Sequence, residues 1–236
     1  MIIGTGLIAR GFAPHLHELS GTCVYAAGVS NSSCSDAREF VREQQRVGEA
    51  LAATPVNSLF IYFSTCSLGD PTARDDPYVR HKLAMEHLVR QRERYLVVRL
   101  PQLAGNTPNP HTLLNHLYTR IVRSERFAIW RGAIRNIIDV DDAARIVTDL
   151  VVSERIWGET INVACTRSYA IFDIVTSMEA VVGHKAIFDI IDRGAGYPIA
   201  TDRIHAALER CHLSFPDDYL LRVIRKYYGH HDSIAT

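Results

Sequence analysis

Tyr78 and Lys82 stand four residues apart, directly after Asp75, Asp76 and Pro77. On a helix that spacing puts both side chains on one face, one turn apart. The pairing suits a phenol used as an acid or base. Free tyrosine titrates near 10, roughly three units above neutral pH. An ammonium one turn away favours the phenolate and lowers that value. The chain has 10 tyrosines but only three lysines, Lys82, Lys185 and Lys226, so random placement gives roughly 0.13 such pairs. A solvated helix face would carry the same two residues, and the neighbouring elements decide between the readings.

Upstream, Leu59-Phe60-Ile61-Tyr62-Phe63 is an unbroken apolar run of the kind a buried parallel strand shows. It ends at Ser64-Thr65, where a hydroxyl can hold a substrate oxygen against the tyrosine. Asp75 and Asp76 offer N-caps for the following helix, and Pro77 fits its first turn. Around this unit strands and helices alternate, which predicts an α/β fold with a parallel sheet. Strands are expected at 1–3, 23–27, 95–100, 137–140, 160–163 and 186–191. Helices are expected near 7–19, 36–51, up to about 93, 112–124, 142–152, from a Ser168 cap to Gly183, 201–211 and 217–228. Gly4-Thr5-Gly6-Leu7-Ile8-Ala9 is a G-x-G-x-x-A turn between the first strand and helix, a shape that lets a backbone approach a pyrophosphate.

Length and composition bound the rest. The 236 residues suit one domain or a core with a small lobe. Hydrophobic content of 47% and charged content of 22% fit a globular protein. The formal net charge of zero gives no bulk attraction to nucleic acid or an anionic membrane. Cys23, Cys34, Cys66, Cys165 and Cys211 lack the spacing of a zinc site or a disulfide framework. None of the 11 histidines, the His230-His231 pair included, has a partner at firm metal spacing. No signal-peptide layout and no apolar run of membrane-spanning length is present. The expectation is a cytoplasmic protein in a reducing compartment, with no metal.

Thr65, Tyr78 and Lys82 resemble the catalytic Ser/Thr, Tyr and Lys of the short-chain dehydrogenase/reductase superfamily. Further segments resemble its extended branch, the nucleotide-sugar epimerases, dehydratases and ketoreductases. Arg99-Leu-Pro-Gln-Leu-Ala-Gly105 resembles that branch's R-x-x-N-x-x-G, and Arg135 to Asp142 its R-x-x-x-x-V-x-D. Two departures stand out. Ile3 occupies the place of the first Gly of the branch's usual T-G-x-x-G-x-x-G, and only about 20 residues separate the glycine turn from Val24-Tyr25-Ala26-Ala27, which resembles the fourth family strand. Strands two and three, and the residue that reads the adenosine ribose, are therefore missing. The usual order 3-2-1-4-5-6 would shrink to 1-4-5-6.

The resemblance implies a Rossmann-like parallel sheet shortened by about two strands, with a small C-terminal substrate lobe. The core would span 1–165, with 106–130 lent to the lobe, and the lobe 166–236. It implies NAD or NADP, bound weakly and without a legible preference, on Gly4, Gly6, Ala9, Ala27, Gly28, Lys82 and Pro101; Arg10 could partly replace the missing contact through a phosphate, but a solvated arginine at a helix start is the favoured reading of it. It implies a nucleotide sugar gripped by Gln102, Arg135 and Arg193; for each of these a surface or loop role is the plain alternative. Tyr78 would move the proton, Thr65 would hold the same oxygen, and Lys82 would tune the phenol and hold a ribose. Cys66-Ser67 replaces the acidic residue expected of a 4,6-dehydratase, which leaves a ketoreductase or 4-epimerase. A homodimer built from the 36–51 and 78–93 helices, with Val79, Leu83, Leu88 and Val89 as apolar surface, and a place in polysaccharide biosynthesis complete the expectation. A non-catalytic nucleotide or nucleotide-sugar binding module on the same scaffold is the rival.

Overall fold

The computed structural model describes residues 1–229, so His230 and His231 lie outside the described residues. In chain order the elements are β1 (Ile2–Ile3), α1 (Leu7–Phe12), β2 (Thr22–Tyr25), α2 (Ala37–Ala53), β3 (Leu59–Thr65), α3 (Pro77–Val89), β4 (Tyr95–Leu100), β5 (Gln102–Ala104), α4 (Leu113–Val122), β6 (Phe127–Trp130) and β7 (Ile134–Asp139). They continue with α5 (Val140–Ser153), β8 (Glu159–Asn162), β9 (Ser168–Ala170), α6 (Ile171–Val182), β10 (Phe188–Ile191), α7 (His205–Arg210) and α8 (Tyr219–Tyr228). The chain forms two units. The first comprises Met1–Pro101, Val140–Ala164 and Ile199–Leu213, and the second Gln102–Asp139, Cys165–Pro198 and the chain from Ser214 on. Residues 102–105, 131–139, 165 and 199–213 therefore fall on the opposite side of the division from the one the sequence suggests.

The first unit is built on a five-stranded sheet in the order β1-β2-β3-β4-β8. Every neighbouring pair is parallel. This is the Rossmann-like arrangement, with the shortened edge at β1 and a fifth strand beyond β4. β3 occupies the centre and is buried along nearly its whole length, which explains its uninterrupted apolar run. On one face Phe60 and Tyr62 pack with Cys23, Tyr25, Val47, Ala50, Met85, Val89 and Val97. The parallel register brings Tyr25 opposite Tyr62, and their rings lie 6.1 Å apart.

The second unit has a three-stranded sheet, β5-β7-β9, and a two-stranded one, β10-β6. β5 and β7 run parallel, β7 and β9 antiparallel, and β10 and β6 parallel. A separate apolar core joins Leu114, Leu117 and Ile121 of α4 to Ile174 and Met178 of α6 and Val223 and Ile224 of α8.

Local details depart from the sequence pattern. Ser168 does not cap a helix: it begins β9, and α6 starts at Ile171 after Ala170, with no side-chain cap. The strand pairing with Ile134–Asn136 claims Ser168 first. The helix does stop at Gly183, which adopts a left-handed conformation at φ 75°. The first helix ends at Phe12, followed by a 3-10 turn over Ala13–His15 that Pro14 imposes. Strands β5, β6 and β9 are three to four residues long, too short to carry a readable alternation.

Candidate functional site

Asp76 fixes the start of α3. Its Oδ1 accepts from the Tyr78 and Val79 amides at 2.8 and 3.2 Å, and Pro77 follows in the first turn. Tyr78 and Lys82 then emerge one turn apart and both are buried. The Lys82 ammonium lies 5.9 Å from the Tyr78 ring centre and 5.1 Å from that of Tyr62. Thr65 closes β3, and its Oγ1 accepts from the Ser67 amide at 3.1 Å, capping the 3-10 turn Cys66–Gly69. Thr65 is thus tied to its own turn, whereas Tyr78 and Lys82 are brought together. The adjacent Ser64 hydroxyl is buried and has no hydrogen-bond partner among the described residues. The Cys66 thiol donates to the Arg99 carbonyl, and burial pushes it up to about 12.

Glu43 of α2 was not among the residues singled out in the sequence, yet it is the most heavily bonded carboxylate around Lys82. Its side chain is 1% exposed. Oε1 accepts from the Tyr62 hydroxyl at 2.7 Å and from Lys82 Nζ at 3.0 Å. Oε2 accepts from the Val29 amide at 2.7 Å and lies 3.0 Å from His81 Nε2. Burial alone would raise its carboxyl. The Lys82 ammonium and the bonds from His81, the Val29 amide and Tyr62 outweigh that and hold it at about 2. Burial and then the Glu43 charge drive the Tyr62 phenol well above its ordinary range, and the same two causes push Tyr25 up to about 12. His81 stacks on Phe40 with ring centres 4.6 Å apart. The sequence carries only a faint signal: Phe40, Glu43, Val47 and Ala50 make a stripe at helical spacing, with Glu43, Val47 and Ala50 its buried members, but nothing within the helix tells which partner the carboxylate meets.

The residues expected to hold a dinucleotide form two contrasting ends. Gly4 has φ 121°, and a Cβ there would fall 2.5 Å from the Ala26 carbonyl oxygen. Only glycine fits, because β2 runs so close. Gly6 precedes α1, and a Cβ there would meet nothing within 4 Å; this open side fits a diphosphate group. Ala9 is buried in α1, and Gly11 lies so close to α5 that a Cβ would fall 2.7 Å from Val140 Cγ2. Arg10 donates to the Thr5 carbonyl at 3.0 Å. Ala27 and Gly28 follow β2, and a Cβ on Gly28 would stand 2.7 Å from both Glu43 Oε1 and Lys82 Nζ. Pro101 ends β4 and is half-buried. An ammonium has three protons. Lys82 directs two of them to Glu43 at 3.0 Å and to the Tyr62 oxygen at 3.1 Å. The Phe63 carbonyl lies at 3.5 Å, a long contact beyond the ordinary range, so the third proton is the one that a ribose hydroxyl would take.

The expected substrate residues lie in the second unit. Gln102 begins β5 opposite Ile137 of β7. Arg135 sits on β7 and donates to the Ile134 carbonyl at 2.9 Å. Arg193 is exposed, its guanidinium 4.2 Å over the Trp130 ring. The loop carrying Arg193 crosses the segment that leads to Arg135. The Gly132 amide donates to the Arg193 carbonyl at 3.1 Å, and a Cβ on Gly194 would come within 3.0 Å of the Ala133 nitrogen. The bases of the two arginines are therefore joined by backbone, while each side chain has its own local partner. Among the described residues no three His, Cys, Asp or Glu side chains gather to hold a metal ion, and no helix is long and apolar enough to cross a membrane.

Solved structures share this architecture. The structure of RMD from Pseudomonas aeruginosa complexed with NADPH superposes with a TM-score of 0.72 at 17% identity, covering 95% of this chain and 96% of that one. UDP-glucuronic acid 4-epimerase from Bacillus cereus, in complex with UDP-glucuronic acid and NAD, gives 0.68 at 20% identity, over 89% of this chain and 75% of that one. dTDP-glucose 4,6-dehydratase from Bacillus anthracis in complex with NAD gives 0.66 at 14% identity, over 97% and 79%. At these identities the likeness shows the fold. No curated protein sequence matches the chain. The model of the NAD dependent epimerase/dehydratase family matches residues 23–164, starting after the glycine turn and running from β2 through β8. That span takes in Glu43, Thr65, Tyr78, Lys82 and Arg135 and more than half of the sequence, and the chain belongs to the NAD dependent epimerase/dehydratase family.

Proposed function

We propose that the protein is an NAD- or NADP-dependent oxidoreductase or epimerase acting on a nucleotide-activated sugar, of the ketoreductase or 4-epimerase type. The observation that carries this reading is the Tyr78–Lys82 pair: a buried phenol with an ammonium 5.9 Å from its ring, at a capped helix start, in a member of this family. Tyr78 exchanges the proton with the sugar oxygen, and Thr65 donates to the same oxygen while its own lone pair serves the Ser67 amide. The glycine turn at Gly4 and Gly6, with Ala9, Ala27, Gly28 and Pro101, is the side on which the dinucleotide is held. The cofactor supplies the hydride chemistry. Gln102, Arg135 and Arg193 are assigned to the diphosphate of the sugar nucleotide, for which a guanidinium fork suits adjacent phosphates. A homodimer through the outer faces of α2 and α3 belongs to the same reading. Val79 and Val89 are buried within the chain and leave Leu83 and Val41 as exposed apolar positions for it; light scattering at micromolar concentration reads the assembly directly.

The test is turnover of UDP-, GDP-, CDP- and dTDP-sugars with NAD, NADH, NADP and NADPH, followed by product analysis. Tyr78→Phe keeps the ring and loses only the proton-transfer group, so turnover is expected to fall by about 10²–10⁴-fold with the fold intact. Near wild-type turnover by this variant would sink the assignment. One observation favours a second reading, a non-catalytic nucleotide-sugar binder: Lys82 is buried and bonded to Glu43 and Tyr62, partners that serve the fold. Binding of a sugar nucleotide by calorimetry, with no turnover under any cofactor, would select it.

A further inference from the structure

In the proposed catalysis Lys82 acts on Tyr78 as a positive charge. The structure surrounds that charge with a built arrangement that the proton transfer itself does not use. Glu43 reaches it from α2 at 3.0 Å, Tyr62 from β3 at 3.1 Å and the Phe63 carbonyl at 3.5 Å. Glu43 is in turn held from three sides, by the Tyr62 hydroxyl, the Val29 amide and His81. No side chain could be added at Gly28 without displacing the pair, since a Cβ there would stand 2.7 Å from both charged groups. Glu43 and Lys82 have side chains 1% and 3% exposed, so water does little to screen them.

We infer that Glu43 is a positioning residue: it fixes the Lys82 ammonium in place and offsets its charge, and so sets how strongly Lys82 acts on the Tyr78 hydroxyl. The ammonium lies 5.9 Å from the Tyr78 ring centre and 3.0 Å from the Glu43 carboxylate, so any pull of Lys82 on the phenol is that of one half of an ion pair, which the partner's opposite charge reduces. This rests on the catalytic reading for its functional meaning, but the charge balance itself does not depend on turnover. The titratable and charged groups around the pair are Tyr25 from β2, Glu43 from α2, Tyr62 from β3, and Tyr78, His81 and the capping Asp76 at the start of α3. Arg46 and Glu49 of α2 act on Tyr25 from further out.

The experiment is a ¹³C NMR titration of tyrosine-labelled protein without cofactor, with the Tyr78 signal assigned from Tyr78→Phe. Lys82→Met leaves the Glu43 carboxylate uncompensated and is expected to raise the Tyr78 midpoint by about one unit or more. The double variant Glu43→Gln/Lys82→Met removes both charges. If Glu43 offsets Lys82, the double variant recovers at least half of that rise. A recovery of less than half overturns the proposal, because Tyr78 would then feel Lys82 alone. Should Lys82→Met fail to fold, Glu43→Gln alone is read for both Tyr78 and the Lys82 amine. A lower Tyr78 midpoint supports the proposal, and an unchanged or higher one overturns it, whatever the Lys82 amine, read separately on lysine-labelled protein, does. Since the titration needs no substrate, a protein that turns nothing over still reports on Glu43, and an active enzyme whose double variant shows no recovery retains its function while losing this inference.

Discussion

Two groups of cations in this molecule live under opposite conditions. Lys82 is enclosed in the first unit, its ammonium bonded to a carboxylate, a phenol oxygen and a carbonyl. Arg135 and Arg193 stand in the second unit, one bonded to the carbonyl beside it and the other lying on an indole. Removing a charge from water costs several kcal/mol per ion, so a buried ammonium persists only with near-complete pairing. Arg193 is exposed and Arg135 half-buried, so both guanidinium groups keep part of their hydration and, under the proposed function, would exchange local partners for a ligand's phosphates. The buried cation is therefore part of the fold first and of any chemistry second, whereas the two arginines are expected to matter less to the fold.

The largest difference follows from breaking the buried pair on one side. Glu43→Leu leaves the buried Lys82 without its counter-charge and is expected to destabilise the protein by about 3–5 kcal/mol, while Glu43→Leu/Lys82→Met restores at least half of that loss. Urea unfolding of the two variants measures both. Acid is the milder way to break the same pair. The Glu43 carboxyl sits at about 2 in the folded protein against an ordinary 4.5. A carboxyl lowered on folding stabilises fully above its unfolded value and loses that contribution as pH falls from about 4.5 towards 2. The amount is on the order of 3 kcal/mol. Unfolding curves between pH 7 and pH 3 are expected to show a shallower loss for Glu43→Gln than for the wild type, and parallel curves would contradict the pairing.

The glycine turn offers a smaller contrast of the same kind. Gly4 holds a positive φ with the Ala26 carbonyl 2.5 Å from a would-be Cβ, while Gly6 faces open space. Gly4→Ala is expected to cost about 1–3 kcal/mol in thermal or urea unfolding. Gly6→Ala should stay within about 0.5 kcal/mol and, under the proposed function, weaken dinucleotide binding in calorimetry.

The central strands were legible because β3 and β4 carry largely apolar runs, and several helices through their end residues. Asp76-Pro77 before α3, Asp36 before α2 and Gly183 after α6 each announce a boundary through local chemistry. The Tyr78–Lys82 pair was legible for the same reason, being a relation within one helix. Glu43 was not, because its meaning comes from residues 14 to 39 positions away, on β3, α3 and the loop after β2. A charged helix with one carboxylate on its inner stripe reads as ordinary until the partner is seen. Ser168 failed for the converse reason. Its local signal for a cap was sound, but pairing with β7 across more than 30 residues claimed it for a strand.

The two arginines give the smallest effect on stability and the sharpest test of what they are for. Arg193 gains a cation–π contact with Trp130, worth about 0.5–1 kcal/mol at an exposed site, and Arg135 makes one bond to its own neighbour's carbonyl. Arg193→Ala and Arg135→Ala are therefore each expected to shift unfolding by no more than about 1 kcal/mol. If they clamp a diphosphate, the charge-assisted bonds are worth about 1.5–3 kcal/mol each, so either change should weaken nucleotide-sugar binding by at least about tenfold. Because the backbone around Gly132 and Gly194 ties their bases together, the two changes should be non-additive in binding and additive in stability. Calorimetry on the two single variants and the double, set beside their unfolding curves, reads both quantities. Losses of stability above about 2 kcal/mol with unchanged ligand binding would mean that these arginines, like Lys82, serve the fold.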